Sequence, residues 1–210
     1  SEMCIRDSCD AAQAFGHIPF QPDALGLDLV SLSAHKLYGP KGIGALVIKN
    51  EIALTPLQWG GGQEHELRAG TLPTPLVVGF AAAARLALVD LESRSLRLRR
   101  LRDQLWAGLT HNLPQIQLNG PLEPRLPHNL NITVPGVNGS RLHRALRPHL
   151  ACSSGSACSR GEPSHVLQAI GHSRRDAEAS LRLSLGRTTS ERDIDAAIQL
   201  ITSTIHALNP

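Results

Sequence analysis

Three residues of this chain combine a reactive side-chain type with a setting that packing does not claim: Lys36, Asp10 and Cys158. Lys36 lies in the run Leu29-Val-Ser-Leu-Ser-Ala-His-Lys36-Leu-Tyr-Gly-Pro-Lys-Gly42. Residues Leu25 to Leu32 are apolar enough for a buried strand, and Gly39, Pro40 and Gly42 stop it. Lys36 therefore stands where a sheet hands over to a loop, the usual place for catalytic groups in α/β proteins. The chain has only three lysines (Lys36, Lys41, Lys49) against eighteen arginines, so a lysine here is kept for its amine. An amine loses its proton when desolvated and condenses with a carbonyl; a guanidinium does neither. Asp10, in Asp10-Ala-Ala-Gln13, lies 26 residues upstream, which places its carboxylate at a neighbouring strand end. Cys158 closes the segment Cys152-Ser-Ser-Gly-Ser-Ala-Cys158, which is too small and polar to build a core. Free cysteine is normally buried, so a thiol in such a segment reads as reactive. Each group alone has an ordinary reading: a solvated loop lysine, a turn carboxylate, an incidental thiol.

Taken together, the motifs resemble the NifS/IscS-like cysteine desulfurases of the class V aminotransferase family. The matching residues are Asp10-Ala-Ala-Gln13, Ser33-Ala-His-Lys36-Leu-Tyr-Gly-Pro-Lys-Gly42, Gly60-Gly-Gly-Gln-Glu64, Arg68-Ala-Gly-Thr71, Ser153-Ser-Gly-Ser-Ala-Cys158 and Leu181-Arg-Leu-Ser-Leu-Gly-Arg187. They run in family order at family-like spacing from residue 10 to about residue 208. The resemblance implies an α/β chain: the C-terminal part of a PLP-dependent fold type I large domain, followed by a small α+β domain. It implies pyridoxal 5'-phosphate held as an imine to Lys36. Asp10 would keep the ring nitrogen protonated, Gln13 would donate to the phenolic oxygen, and Ser33 and His35 would hold the phosphate. Thr71 would reach the cofactor phosphate of the partner subunit in a homodimer. Arg182 would capture the carboxylate of L-cysteine, with Arg187 a lesser candidate. Cys158 would take the substrate sulfur as a persulfide, release L-alanine, and pass the sulfur to an acceptor such as an iron–sulfur scaffold in the cytoplasm. Selenocysteine lyase, a class V aminotransferase and a non-catalytic sulfur-transfer adaptor are the competing readings.

The chain departs from the pattern in two places. Only three residues separate Cys158 from Glu162-Pro163, a shorter tether than many relatives have. Family members also extend further at the N-terminus, where the glycine-rich phosphate loop and the lid over the cofactor ring belong. On the resemblance, the 210-residue chain alone is expected to lack turnover. Residues 1–9 read as a non-native leader, because Glu2, Arg6 and Asp7 interrupt any apolar run, and Ser1 to Ser8 read as no strand.

Composition sets the remaining bounds. A hydrophobic content of 41% supports a globular core, and a net charge of +3 gives no reason to expect nucleic acid or membrane partners. Four cysteines make no disulfide framework for this length, and no C-x-x-C spacing supports a metal site. Strands are expected near 28–33 and 44–49, and an amphipathic helix from Leu76 to Leu91 after Pro73 and Pro75. The helix continues through Leu96, Leu98, Leu101 and Leu105, interleaved with Arg94, Arg97, Arg99, Arg100 and Arg102. With no aromatic residues among them, these arginines read as a solvated face rather than a nucleic-acid stripe. The large-domain part is taken as residues 10–105 and the small domain as 106–210. The latter should hold strands at Gln115–Leu118, Asn129–Val134 and Leu181–Leu185. Its helices are expected at Ser140–Arg147, Ser164–Ile170 and Arg174–Ala179, and from Ser190 onward behind a Ser190-x-x-Asp193 capping box. In the strand at 181–185, Arg182 alternates with Leu181 and Leu183 and should point away from the core.

Overall fold

A computed structural model describes residues 6–153 and 162–209. The chain divides into two compact units, Ser1–Ser93 and Arg94–Pro210. The first holds a three-stranded sheet of β1 (Ser8–Asp10), β2 (Leu29–Ser33) and β3 (Gly44–Ile48) in that order. β1 runs parallel to β2, with Asp10 opposite Ser31, and β3 returns antiparallel, with Gly44 opposite Ser33. The leader expected through residue 9 therefore gives way to sheet at Ser8, and the reading of Ser8 as non-strand is corrected. The signal was invisible because β1 is short and mostly exposed, so it needs no apolar run. Asp28, just before β2, ties this end of the sheet. Its carboxylate accepts from the Asp7 backbone N–H (3.0 Å) and from Lys49 Nζ (3.1 Å). The backbone bond first, then the lysine, holds the Asp28 carboxyl below its usual range.

A single 3₁₀ turn, Ala34–Leu37, follows β2 directly and packs against helix α1 (Thr74–Val89). Leu37 joins Ala83 and Ala87 of α1 in a small apolar cluster with Phe15 and Phe80. Gly39 is the residue that lets this happen: a Cβ there would sit 2.9 Å from the Ala34 carbonyl oxygen and 3.0 Å from the Ala83 Cβ. Helix α1 starts at Thr74 with Pro75 in its first turn, where a missing N–H costs nothing. It departs from the amphipathic expectation. Val78, Leu86 and Val89 are exposed, because its apolar residues are spread around the helix rather than gathered on one stripe.

In the second unit, helix α2 (Leu91–Asn112) sends Leu98, Leu101, Leu105 and Leu109 into one core. That core draws most of α2 into the second unit, so the compact division falls before the boundary read at residue 105. The sheet is antiparallel, in the order β4 (Gln117–Leu118), β5 (Asn129–Thr133), β6 (Ser180–Ser184). β4 is shorter than expected because Ile116 still closes a turn, its N–H donating to Leu113 O. Leu130, Ile132, Leu181 and Leu183 face the core, opposite α3 (Gly139–Leu146) and α6 (Glu191–Leu208). Two short helices, α4 (His165–Ala169) and α5 (Arg174–Glu178), precede β6. Gly139 opens α3 where a Cβ would collide with the Glu178 carbonyl, so α3 seats directly on the end of α5.

The arginines of α2 are a solvated face only in part: Arg99 and Arg100 are exposed, whereas Arg94 and Arg102 are buried. Arg97 donates to the carbonyls of Thr189 (2.7 Å) and Arg187 (2.8 Å), and Arg100 pairs with Glu191 (2.6 Å). Arg102 is fully buried and donates to Asp103 (2.9 Å) and Glu123 (2.9 Å). A guanidinium has five donors and a long apolar stem, so it reaches across packed surface and satisfies loop carbonyls there. These arginines fasten the loops around α2, and that is what sequence spacing could not distinguish from solvation.

The capping box is present: the Ser190 hydroxyl accepts from Asp193 N (3.2 Å), and Asp193 accepts from Ser190 N (2.8 Å). Ser190→Ala should lower stability by about 1 kcal/mol. Ile201→Ala, at a site with 0% exposure in the core, should cost about 2–5 kcal/mol. Urea denaturation of the chain followed by circular dichroism checks both, and equal losses for the two would contradict this ranking.

Candidate functional site

Parallel strands point their C-terminal ends the same way, so β1 and β2 deliver Asp10 and the turn after Ser33 to one edge of the first sheet. The turn buries Ala34 (0% exposed) and Leu37 (5%) and thereby presents His35 and Lys36 outward between two anchors. Lys36 makes no hydrogen bond or ion pair with any described residue, in contrast to Lys49, which is spent on Asp28. Ser33 Oγ lies 2.9 Å from His35 Nδ1, so the hydroxyl and the imidazole form one polar pair beside the lysine. Asp10 is also exposed. Its Oδ1 accepts from Ala12 N (3.0 Å), a turn that fixes the carboxylate as the chain leaves the strand. Gln13 is exposed on that same turn. The structure thus brings Asp10, Ser33, His35 and Lys36 to one strand edge, with Gln13 following Asp10.

Thr71 is exposed on a separate loop, where Gln63 Oε1 accepts from Gly70 N (3.2 Å). The turn before it holds Glu64, His65 and Glu66 at φ of 50°, 55° and 65°, a left-handed run that non-glycine residues adopt only when their surroundings enforce it.

The remaining candidates belong to the second unit. Arg182 is half-buried on β6, between buried Leu181 and Leu183, and its guanidinium has no partner among the described residues. It points away from the core, as alternation requires. Arg187 lies beyond the strand and is exposed, with its carbonyl taken by Arg97. Cys158 lies outside the described residues. The chain leading toward it is pinned to β6, since Ser153 N donates to Arg182 O (3.2 Å) and Arg182 N donates to Ser153 O (2.7 Å). On the far side, Glu162 is held by Arg174 (2.9 Å), which also grips Glu178 (3.1 Å). Cys152 is partly buried against the core, and burial pushes its thiol above the usual range.

Sequence reasoning missed one polar constellation. Asn119, Asn131, Thr133 and Ser180 form a connected group on the sheet face opposite the core. Its signal was present as a polar residue at every second position of Asn129-Leu-Asn-Ile-Thr133.

Among known proteins, residues 5–197 match the family Aminotransferase class-V. A protein of Rickettsia typhi named cysteine desulfurase IscS is 44% identical over 203 residues, which is 95% of this chain and 49% of that protein. One of the same name from Methylococcus capsulatus is 48% identical over 196 residues, 91% of this chain and 48% of that one. The chain therefore spans about half the length of these curated relatives. A solved NifS-like protein from Rickettsia africae superposes with a TM-score of 0.88 at 31% identity, over 96% of this chain and 54% of its own. Its likeness bears out the fold class: mixed α/β, part of the PLP-dependent fold type I architecture. By sequence and by fold, this chain belongs to the class V aminotransferase family.

Proposed function

We propose that this chain carries the cofactor lysine and the sulfur-accepting cysteine of a pyridoxal-phosphate-dependent cysteine desulfurase. One observation carries the reading: parallel β1 and β2 place the carboxylate of Asp10 and the unpartnered amine of Lys36 at one sheet edge. The residues there fit pyridoxal phosphate. They supply an amine for its aldehyde, a carboxylate for its ring nitrogen, and the Ser33–His35 pair for its phosphate. The names of the relatives, cysteine desulfurases, support L-cysteine as the substrate. When bound, the cofactor supplies an electron sink for the carbon framework of the amino acid.

Asp10 would stand as the anion that keeps the ring nitrogen protonated, and Gln13 would donate to the phenolic oxygen. Lys36 would hold the cofactor through its amine, and that amine would take the α-proton of the substrate. Arg182 captures the substrate carboxylate through its planar fork. Cys158 attacks the substrate sulfur as thiolate; the carbon–sulfur bond breaks, its electron pair stays with carbon, and protonation there yields L-alanine. The sulfur remains on Cys158 as a persulfide. Cys158 lies five residues beyond Ser153, and such a segment spans at most about 18 Å. The acceptor is a sulfur-receiving protein of the iron–sulfur scaffold type, in a reducing cytosol. The protein acts as a homodimer in which Thr71 faces the partner's cofactor.

In the protein encoded at the native locus, Lys36→Ala should abolish the visible absorbance of bound pyridoxal phosphate. Cys158→Ser should keep that absorbance and lose persulfide and alanine formation. An unchanged spectrum for Lys36→Ala would sink the cofactor assignment, and alanine formation by Cys158→Ser would move the reaction to a thiol-independent class. Because burial raises the Cys152 thiol, less of it is thiolate at neutral pH. Cys152→Ala should retain persulfide formation, and iodoacetamide at pH 7 should modify Cys152 more slowly than free cysteine, as peptide mass spectrometry would show.

A further inference from the structure

Arg182 and Asn131 stand directly opposite each other in the β5–β6 pair. Both are half-buried on the face away from the core, whereas the neighbours Leu130, Ile132, Leu181 and Leu183 are buried. The backbone N–H and C=O of Arg182 are both committed to Ser153 on the other side of β6. The carbonyl of Asn131 likewise turns toward Asn119, whose N–H donates to it at 2.9 Å. Asn131 and Arg182 therefore form a non-hydrogen-bonded pair, the kind that brings opposing side chains closest, with Cα atoms about 4.5 Å apart.

The Asn131 amide is oriented from behind. Its Oδ1 accepts from Asn119 Nδ2 at 2.7 Å. Asn119 is in turn held by Thr133 Oγ1 (2.9 Å) and Ser180 Oγ (3.2 Å). Ser180 anchors this group to α5 by donating to Asp176 O (2.8 Å). With its oxygen engaged, Asn131 has Nδ2 left to donate, and that group has no partner among the described residues. The Arg182 guanidinium beside it is equally unpartnered. Two neighbouring donor groups without an acceptor, one of them cationic, make a site for a small planar anion.

We propose that Asn131 is a second arm of the substrate-carboxylate clamp, donating its amide hydrogen to the anion that Arg182 holds, with Asn119 as its positioning residue. The proposal rests on the assignment of Arg182 made above. A hydrogen bond to a charged group contributes about 1.5–3 kcal/mol, which is about ten- to a hundredfold in affinity. The carboxylate does not change charge during sulfur transfer, so the loss appears in KM and not in kcat.

The experiment uses the cofactor-loaded protein encoded at the native locus, with L-cysteine and its carboxamide, which lacks the anion. Asn131→Ala and the smaller polar change Asn131→Ser should each raise KM for L-cysteine about tenfold or more, with kcat within about twofold. For the carboxamide, whose neutral carbonyl accepts a weaker bond, their KM should rise clearly less than for L-cysteine. Asn131→Asp should be worse than Asn131→Ala, because the new carboxylate occupies Arg182. If Arg182→Ala raises KM while Asn131→Ala and Asn131→Ser do not, this proposal is overturned and the Arg182 assignment stands. If Arg182→Ala leaves KM unchanged, both fall. Equal penalties with acid and amide would reduce Asn131 to a structural residue and also overturn the proposal.

Discussion

The parallel pairing of β1 with β2 is the constraint on which the candidate chemistry depends. An antiparallel partner would carry Asp10 to the far end of the sheet, away from the turn that follows Ser33. The pairing is short, three residues in register from Ser8 to Asp10, and it is reinforced where Asp28 accepts from the Asp7 backbone. That carboxylate also takes Lys49, so one half-buried acceptor closes both flanks of β2. Placement of the reactive groups follows from backbone direction, and their presentation follows from the 3₁₀ turn with its two buried anchors, Ala34 and Leu37.

Polar groups do different work in the second unit. Arginine there substitutes for loop regularity: Arg97 and Arg102 reach carbonyls and carboxylates of segments far away in sequence and hold them on α2. Breaking one member of such a set leaves the others desolvated without partners, so these side chains are costly to replace although each contact is individually modest. The apolar core beneath them is ordinary close packing of leucine and isoleucine from α2, α3, α6 and the sheet.

Much of this was legible in the residues. Helix and strand periods located α3 to α6, β5 and β6 to within a residue or two, because each has an apolar face on one side and a cap or glycine at its end. Lys36 was legible because Gly39 and Pro40 mark the strand's end. The Ser190 cap was legible because both of its partners are local. What escaped detection depends on pairing between segments. β1 is an exposed strand with no apolar run, and its membership in the sheet is decided by β2. The arginines of α2 have the spacing of a wet face, and only the folded loops reveal their carbonyl partners. Asn131 carries no motif; its meaning comes from the strand that lies opposite.

Residue 182 serves two masters: its main chain holds Ser153 while its side chain faces the other way from the leucines that flank it. Adding or deleting one residue in the short link between α5 and β6 would invert the strand's alternation, driving the guanidinium into hydrocarbon and handing the Ser153 dock to a different position. That junction therefore tolerates substitution far better than it tolerates a change in length. Chimeras that splice relatives together should be cut elsewhere.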